Sequence, residues 1–282
     1  MGASHEGPAD WSAVAAGWER RRALFWDATR VVSERLVELL DPAPGQTILD
    51  LASGPGDTGF LALPRLRPGG RLISTDVAPE MVETARRRAR ELGLDEGPEL
   101  AFAVEDAAAL SLGDGSVDGV VCRWGLMFPP VMEEATAEIA RVLRPGGRAA
   151  VATWAAPEHN DWITAAGRSA VALGLLERPD PDAPGPFRLS PPGAVEAVLR
   201  GGGLEVELVE DLPLTWRAAS VEEWWETVQD TSRMLSEVLA GVGPDEAAAI
   251  RAGAERRLAD HVAADGSLAV PSLARVALAV RR

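Results

Sequence analysis

Between residues 47 and 154 the chain alternates short apolar runs with amphipathic stretches, and this constrains its fold more than any other feature. The runs Thr47–Ala52, Arg71–Thr75, Leu100–Val104, Val117–Cys122 and Arg148–Trp154 have the length and apolar character of buried strands. The stretches between them carry helix signals. Thr58–Leu66 reads as a helix, and so does Pro79–Leu92, with proline at its start, where a missing N–H costs nothing. Met81, Ala85, Ala89 and Leu92 fall on one face of that helix, while Arg86, Arg87, Arg88 and Arg90 read either as a basic patch or, more simply, as a solvated face. Val131–Leu143 reads as a third helix, with Val131, Ala135, Ile139 and Val142 on one stripe. Strands alternating with helices call for a parallel sheet covered on both faces.

The hexapeptide Leu-Arg-Pro-Gly-Gly-Arg occurs at 66–71 and again at 143–148, each time between a helix and a strand. Proline stops the helix and a glycine supplies the left-handed residue, so one turn problem is solved twice. Upstream, Trp11–Leu40 reads as helical and ends at Pro42, Pro44 and Gly45. Beyond Pro157 the alternation fails. Glu177–Pro192, rich in Pro, Asp and Gly, reads as loop and Ala194–Arg200 as a short helix. Leu204–Leu214 and Ser272–Val280 alternate apolar and polar residues as antiparallel edge strands do, with helices over Val221–Ala264 between them. The expected organisation is N-terminal helices plus the first sheet half at 1–157, a loop or lid at 158–191, sheet completion at 192–217, a helical lid at 218–267 and a last strand at 268–282.

Composition excludes several classes of function. A net charge of −15 repels phosphate backbones and anionic membrane surfaces, so neither nucleic acid nor membrane is expected as a partner. Cys122 is the single cysteine, no apolar stretch is long enough to span a bilayer, and the polar first residues lack an apolar signal core. These features predict a cytoplasmic protein. The chain holds no lysine and no tyrosine, which excludes a lysine Schiff base, a P-loop lysine and a tyrosine general acid.

The chemistry concentrates in Ile48-Leu49-Asp50-Leu51-Ala52-Ser53-Gly54-Pro55-Gly56-Asp57-Thr58-Gly59, which follows a strand and opens a helix. Gly54 and Gly56 let backbone approach a ligand, and the helix N-terminus beyond offers free N–H groups. Gly54-x-Gly56-x-x-Gly59 also fits a dinucleotide fingerprint. Asp50 separates the readings: its carboxylate sits poorly beside a pyrophosphate and well beside the ammonium and sulfonium of S-adenosylmethionine. Asp76 ends the second strand, where an acid accepts both ribose hydroxyls or caps the helix that starts at Pro79. Glu105-Asp106-Ala107 follows the third strand, where a carboxylate accepts from an adenine amino group or closes an exposed turn. The fourth strand delivers Arg123-Trp124-Gly125-Leu126 to the carboxyl edge of the sheet, where open α/β sheets bind ligands.

In joint order these motifs, together with Leu143-Arg-Pro-Gly-Gly147, resemble the class I S-adenosylmethionine-dependent methyltransferases, nearest to the ubiquinone/menaquinone C-methyltransferase-like (type 11) group. The resemblance covers roughly residues 40–155. It implies a doubly wound, mostly parallel seven-stranded Rossmann-like sheet with helical lid insertions. It also implies that Asp50 orients the methionine amino group, directly or through water, and that Gly54 and Gly56 line methionine and ribose. Asp76 then binds the ribose diol, Val77 and Met81 flank the adenine, and Asp106 binds its amino group. Ala52 and Ala107 belong to the same set, and Arg123 faces the methionine end. The cofactor is S-adenosylmethionine, the product S-adenosylhomocysteine, and no metal is expected. Ser53 stands where related members often carry cysteine.

The acceptor side is less defined. Methyl transfer needs an aligned nucleophile, and a general base only if the acceptor must lose a proton. Of His5, His159 and His261, His159 follows the fifth strand and is the best base candidate. The nine tryptophans include Trp124, Trp154 and Trp162 near sheet ends and Trp216, Trp224 and Trp225 near the second lid segment, which favours a flat or apolar acceptor. Trp124, Trp225 and Met234 are the acceptor-binding candidates. In the lid helices Trp224, Val228, Leu235 and Val238 trace one apolar face. The expected partner is a small-molecule acceptor, and the expected assembly a monomer or homodimer. A cyclase or non-catalytic protein that retains the cofactor has the same cofactor motifs. A nicotinamide oxidoreductase fits less well, because Asp50 is present and a Tyr-Lys pair is not.

Overall fold

The structure is a computed structural model and describes residues 11–282. His5 lies outside the described residues. The strands are β1 (Thr47–Leu51), β2 (Arg71–Asp76), β3 (Leu100–Val104), β4 (Val117–Arg123), β5 (Leu143–Trp154), β6 (Glu205–Ala218) and β7 (Leu268–Val280). They form one sheet in the order β3-β2-β1-β4-β5-β7-β6. β1 to β5 pair in parallel, and β7 runs antiparallel to both β5 and β6. β1 and β2 are buried almost end to end, which is why they read as continuous apolar runs.

Helix α3 (Asp57–Leu66) joins β1 to β2, and α5 (Met132–Val142) lies between β4 and β5. The order moves one way from β1 to β2 and the other way from β4 to β5. Right-handed crossovers therefore put α3 and α5 on opposite faces. With α3 lie α2 (Arg22–Leu40), which packs across β4, β5, β6 and β7, and α4 (Pro79–Glu91). With α5 lies α7 (Ala194–Gly201). The order reverses between β1 and β4, so a crevice opens there outside the carboxyl ends of the strands. In both copies of the repeated hexapeptide the first glycine, Gly69 or Gly146, takes the left-handed backbone, at φ 81° and 77°.

Three regions depart from the sequence expectation. The N-terminal helix divides into α1 (Trp11–Arg20) and α2 at Arg21. There the chain docks on helix α8 (Val221–Thr231): a Cβ on Gly17 would lie 1.8 Å from the Asp230 carbonyl oxygen. β7 is an interior strand rather than an edge strand. Its Arg275 is satisfied by Asp211 at 2.7 Å and the Ser190 carbonyl at 3.0 Å, so a polar residue is accommodated there. Finally, residues 158–191 contain a helix, α6 (Asp161–Ala172). It buries Trp162 in its first turn and then only Ala165, Ala166, Gly167, Ser169 and Ala170, and it packs closely on α10 (Pro244–Leu258), so beyond the first turn its buried face is made of small residues with little contrast.

Because β6 is parallel to β5, its end lies at the same edge as the carboxyl ends of β1 to β5. Helices α8, α9 (Arg233–Gly241) and α10 follow from that end, and α6 follows from the end of β5. α1 reaches from α4 to α8, held by Arg87–Glu19 at 2.6 Å on one side and by Arg20 and Arg21 to Asp230, each at 2.7 Å, on the other. Among the described residues no helix is long and apolar enough to cross a membrane.

Candidate active site

The loop after β1 is shaped by backbone conformation. Ala52, Gly54 and Gly56 all have positive φ, at 53°, 54° and 85°. Gly54 faces open space, since a Cβ there would meet nothing within 4 Å. Ala52 holds a left-handed conformation that costs a residue with a side chain about 1–2 kcal/mol. Its methyl is accommodated because residue 125 is glycine; a Cβ there would lie 2.4 Å from that of Ala52.

Three carboxylates surround this loop. Asp50 is fully buried and accepts the Gly59 N–H at 2.8 Å, joining the end of β1 to the first turn of α3. Burial pushes its pKa up to about 7, against the opposing effects of the Gly59 N–H and the charge of Arg123. Asp76 accepts from Gly54 N–H at 2.9 Å and Ala78 N–H at 3.0 Å, so one carboxylate braces the glycine loop and the start of α4. Burial raises its pKa as well. Asp57 opens α3, with Arg22 at 3.6 Å and Arg88 at 3.9 Å, and burial raises its pKa too. Arg123 donates to Thr29 Oγ1 at 2.6 Å; burial lowers its pKa, yet a guanidinium stays protonated. Burial disfavours the charged form of all three carboxylates, and the nearby arginines offset this only in part at Asp50 and Asp57. Cys122, whose thiol burial pushes up to about 12, is no nucleophile.

Beyond Arg123 the chain enters an aromatic cluster. Trp124 stacks on Trp154 with centroids 4.3 Å apart and planes 9° apart. Trp154 lies 6.1 Å from Trp216, which stacks on Trp162 at 5.3 Å and meets the edge of Phe25 at 5.0 Å. Phe25 continues to Trp18 at 4.3 Å. The cluster therefore joins α1, α2, β5, β6 and α6 at the carboxyl edge, beside the glycine loop.

The predicted residues fall into two groups. Asp50, Ala52, Gly54, Gly56, Asp76 and Arg123 come together around the crevice, with Val77 following Asp76 and Met81 buried in the first turns of α4. Asp106 is exposed and accepts the Ala108 N–H at 2.9 Å, in a turn that also contains the half-buried Ala107. Trp124 belongs to the aromatic cluster. Trp225 instead lies against Trp224 and under the Arg251 guanidinium, and Met234 is partly exposed, its methyl close to Gly167. His159 is exposed on a single turn of 3-10 helix. Its neighbour Asn160 is the buried one, and it fastens the end of β5 to β7 by exchanging hydrogen bonds with Leu273, both at 3.2 Å. Sequence reasoning gave no role to Asp57 or Ser272. Asp57, next to the loop glycines, was open to recognition as a helix-opening acid, whereas Ser272 carries no local signal. Among the described residues no group of three or more His, Cys, Asp or Glu is placed to hold a metal ion.

Comparison with known proteins agrees with this geometry. Residues 48–147 match the model of a methyltransferase domain family. The nocamycin O-methyltransferase of Saccharothrix syringae is 32% identical over 259 residues, covering 86% of this chain and 90% of that one. The ubiquinone/menaquinone biosynthesis C-methyltransferase UbiE of Acidiphilium cryptum (strain JF-5) is 40% identical over 119 residues, covering 42% of this chain and 46% of that one. Among solved structures, the [4+2]-cyclase SpnF superposes with a TM-score of 0.56 at 18% identity, covering 89% of this chain and 80% of that one. The chain belongs to the class I S-adenosylmethionine-dependent methyltransferases, and S-adenosylmethionine is its methyl donor.

Proposed function

We propose that this enzyme methylates a small, flat, largely apolar metabolite at the carboxyl edge of the sheet. The observation that supports this reading is the continuous aromatic cluster beside the glycine loop. When bound, S-adenosylmethionine supplies an electrophilic methyl group on a sulfonium. The residues of the chain bind, orient and exclude water. Asp50 and Asp76 provide negative charge for the ammonium and ribose ends, Gly54 gives the backbone close approach, and Val77 and Met81 flank the adenine. Asp106 keeps one carboxylate oxygen available for an adenine amino group. Trp124, half-buried and backed by the buried Trp154, offers aromatic surface to the acceptor, and the helices α1, α6 and α8–α10 cover it from water. Positioning and desolvation then account for catalysis without an obligatory protein base.

The nocamycin enzyme, the relative matched along most of its length, is named for O-methylation, which favours an oxygen acceptor here as well. The net charge of −15 argues against nucleic acid, and a single buried cysteine suits a reducing compartment, so we place the enzyme in the cytoplasm. Calorimetry should register S-adenosylhomocysteine and not NAD. Incubation of labelled S-adenosylmethionine with fractionated cell extract should put label into the small-molecule fraction. Label confined to RNA or protein, or cofactor retained without release of S-adenosylhomocysteine, overturns the reading.

A further inference from the structure

Trp216 is fully buried between Trp162 and Phe25, and its indole N–H has no partner in the protein. The indole N–H groups of Trp124 and Trp18 are likewise buried and unpartnered. All three rings belong to the one aromatic cluster. A fourth unpartnered group joins them, because β6–β7 pairing sets Leu214 opposite Ser272 and Trp216 opposite Val270. The buried Ser272 hydroxyl therefore lies on the same sheet face as Trp216, and it too has no protein partner. Each buried donor left unpaired costs about 1–3 kcal/mol, so several distributed along one aromatic cluster point to a ligand that satisfies them.

The backbone gives an independent indication. Trp124 has φ 60°, a left-handed conformation that is a genuine outlier for a bulky side chain. Such strain persists where the surroundings hold a residue for a task. In this conformation the Trp124 ring lies flat on Trp154, with the Arg123 guanidinium 4.9 Å from its centroid. An indole nitrogen is a donor only and cannot accept the proton of a hydroxyl. The Trp224 indole, by contrast, is already committed to the Trp162 carbonyl at 3.1 Å.

We propose that Trp216 and Trp124, assisted by Trp18 and Ser272, are specificity-determining residues that recognise a hydrogen-bond-accepting oxygen, such as a conjugated carbonyl or an oxyanion, on a flat acceptor. The proposal rests on the methyltransferase reading and names the acceptor chemistry within it. A planar hydrocarbon of the same outline leaves the donors unpaired and is rejected, while an oxygen-bearing one is held by both stacking and hydrogen bonds.

The probes are 9-fluorenone and fluorene, which share a flat tricyclic frame and differ in one carbonyl. Equilibrium dialysis against the full chain, saturated with S-adenosylhomocysteine, should give fluorenone at least about tenfold tighter binding than fluorene. Trp216→Phe and Trp124→Phe keep an aromatic ring and remove the N–H. Each should cut that preference severalfold and leave S-adenosylhomocysteine affinity, measured by calorimetry, unchanged. Equal binding of the two probes to the unaltered enzyme overturns the proposal, as does failure of both to bind, and neither comparison depends on a variant that folds. An undiminished preference in both variants overturns it as well. Absence of S-adenosylhomocysteine binding to the unaltered enzyme would instead sink the methyltransferase reading beneath it.

Discussion

Replacing Asp50 by asparagine tests the electrostatics of the site directly. The side chain keeps its shape, and its oxygen still accepts the Gly59 N–H. What disappears is a carboxyl whose pKa burial has lifted from 3.8 to about 7. A carboxyl with a folded-state pKa above its unfolded value destabilises the fold as pH rises: the cost is absent below about pH 4 and complete above about pH 7. At its fullest that cost is about 4 kcal/mol. The new amide brings N–H groups that need acceptors, so a net gain of roughly 2–4 kcal/mol is expected for the variant at about pH 8.5. In a chain of this size that raises the denaturation midpoint by roughly 3–7 °C. Asp57 and Asp76 are present in both proteins but repel the Asp50 charge, so the difference reports the loss of that charge together with the relief it brings to these two neighbours. Urea unfolding followed by tryptophan fluorescence, without cofactor, measures it. The variant's advantage should shrink by about 3 kcal/mol between about pH 8.5 and about pH 5. An advantage that does not change with pH, or an unaltered enzyme that is the more stable throughout, refutes the reasoning.

Asp76→Ala should weaken S-adenosylhomocysteine binding by roughly 1.5–3 kcal/mol for each charge-assisted hydrogen bond lost, measured by calorimetry; full affinity in a folded variant removes Asp76 from the cofactor site. Ala52→Gly should stabilise the protein by up to about 1 kcal/mol by relieving a left-handed alanine, whereas Gly125→Ala should destabilise it by well over 2 kcal/mol. Thermal unfolding checks both, and a harmless Gly125→Ala contradicts the close approach to Ala52. Trp225→Ala and Met234→Ala should alter acceptor selectivity if α8 and α9 cover the acceptor; a change in solution mass with unchanged turnover would assign those helices to self-association instead.

The strands of the first sheet half were readable because a parallel strand buried on both faces leaves a short apolar run, as at Thr47–Leu51 and Leu100–Val104. The cofactor loop was readable for a related reason: glycines and an acid at fixed spacing leave few alternatives. α6 was missed because a helix that packs through alanine and glycine shows little periodic contrast. The alternation in β7 suggested an edge, and only the partners of Arg275 explain how a charged residue sits in an inner strand. The acceptor site was the least legible. Trp162 and Trp216 are far apart in sequence and stack only because α6 folds back over β6. No local pattern distinguishes them from Trp225, which meets Arg251 instead.

The position of β7 has a consequence for how the protein is made. A ribosome delivers β5 and then β6, but these two strands never pair with each other; β7 must slide between them. Until it emerges, a nascent chain presents the unpaired rim of β5, and β6 waits with both its sides open. Such rims recruit other chains. The interval between translation of residue 218 and residue 268 is therefore the span in which a chaperone has most to protect, and slow codons there would lengthen it.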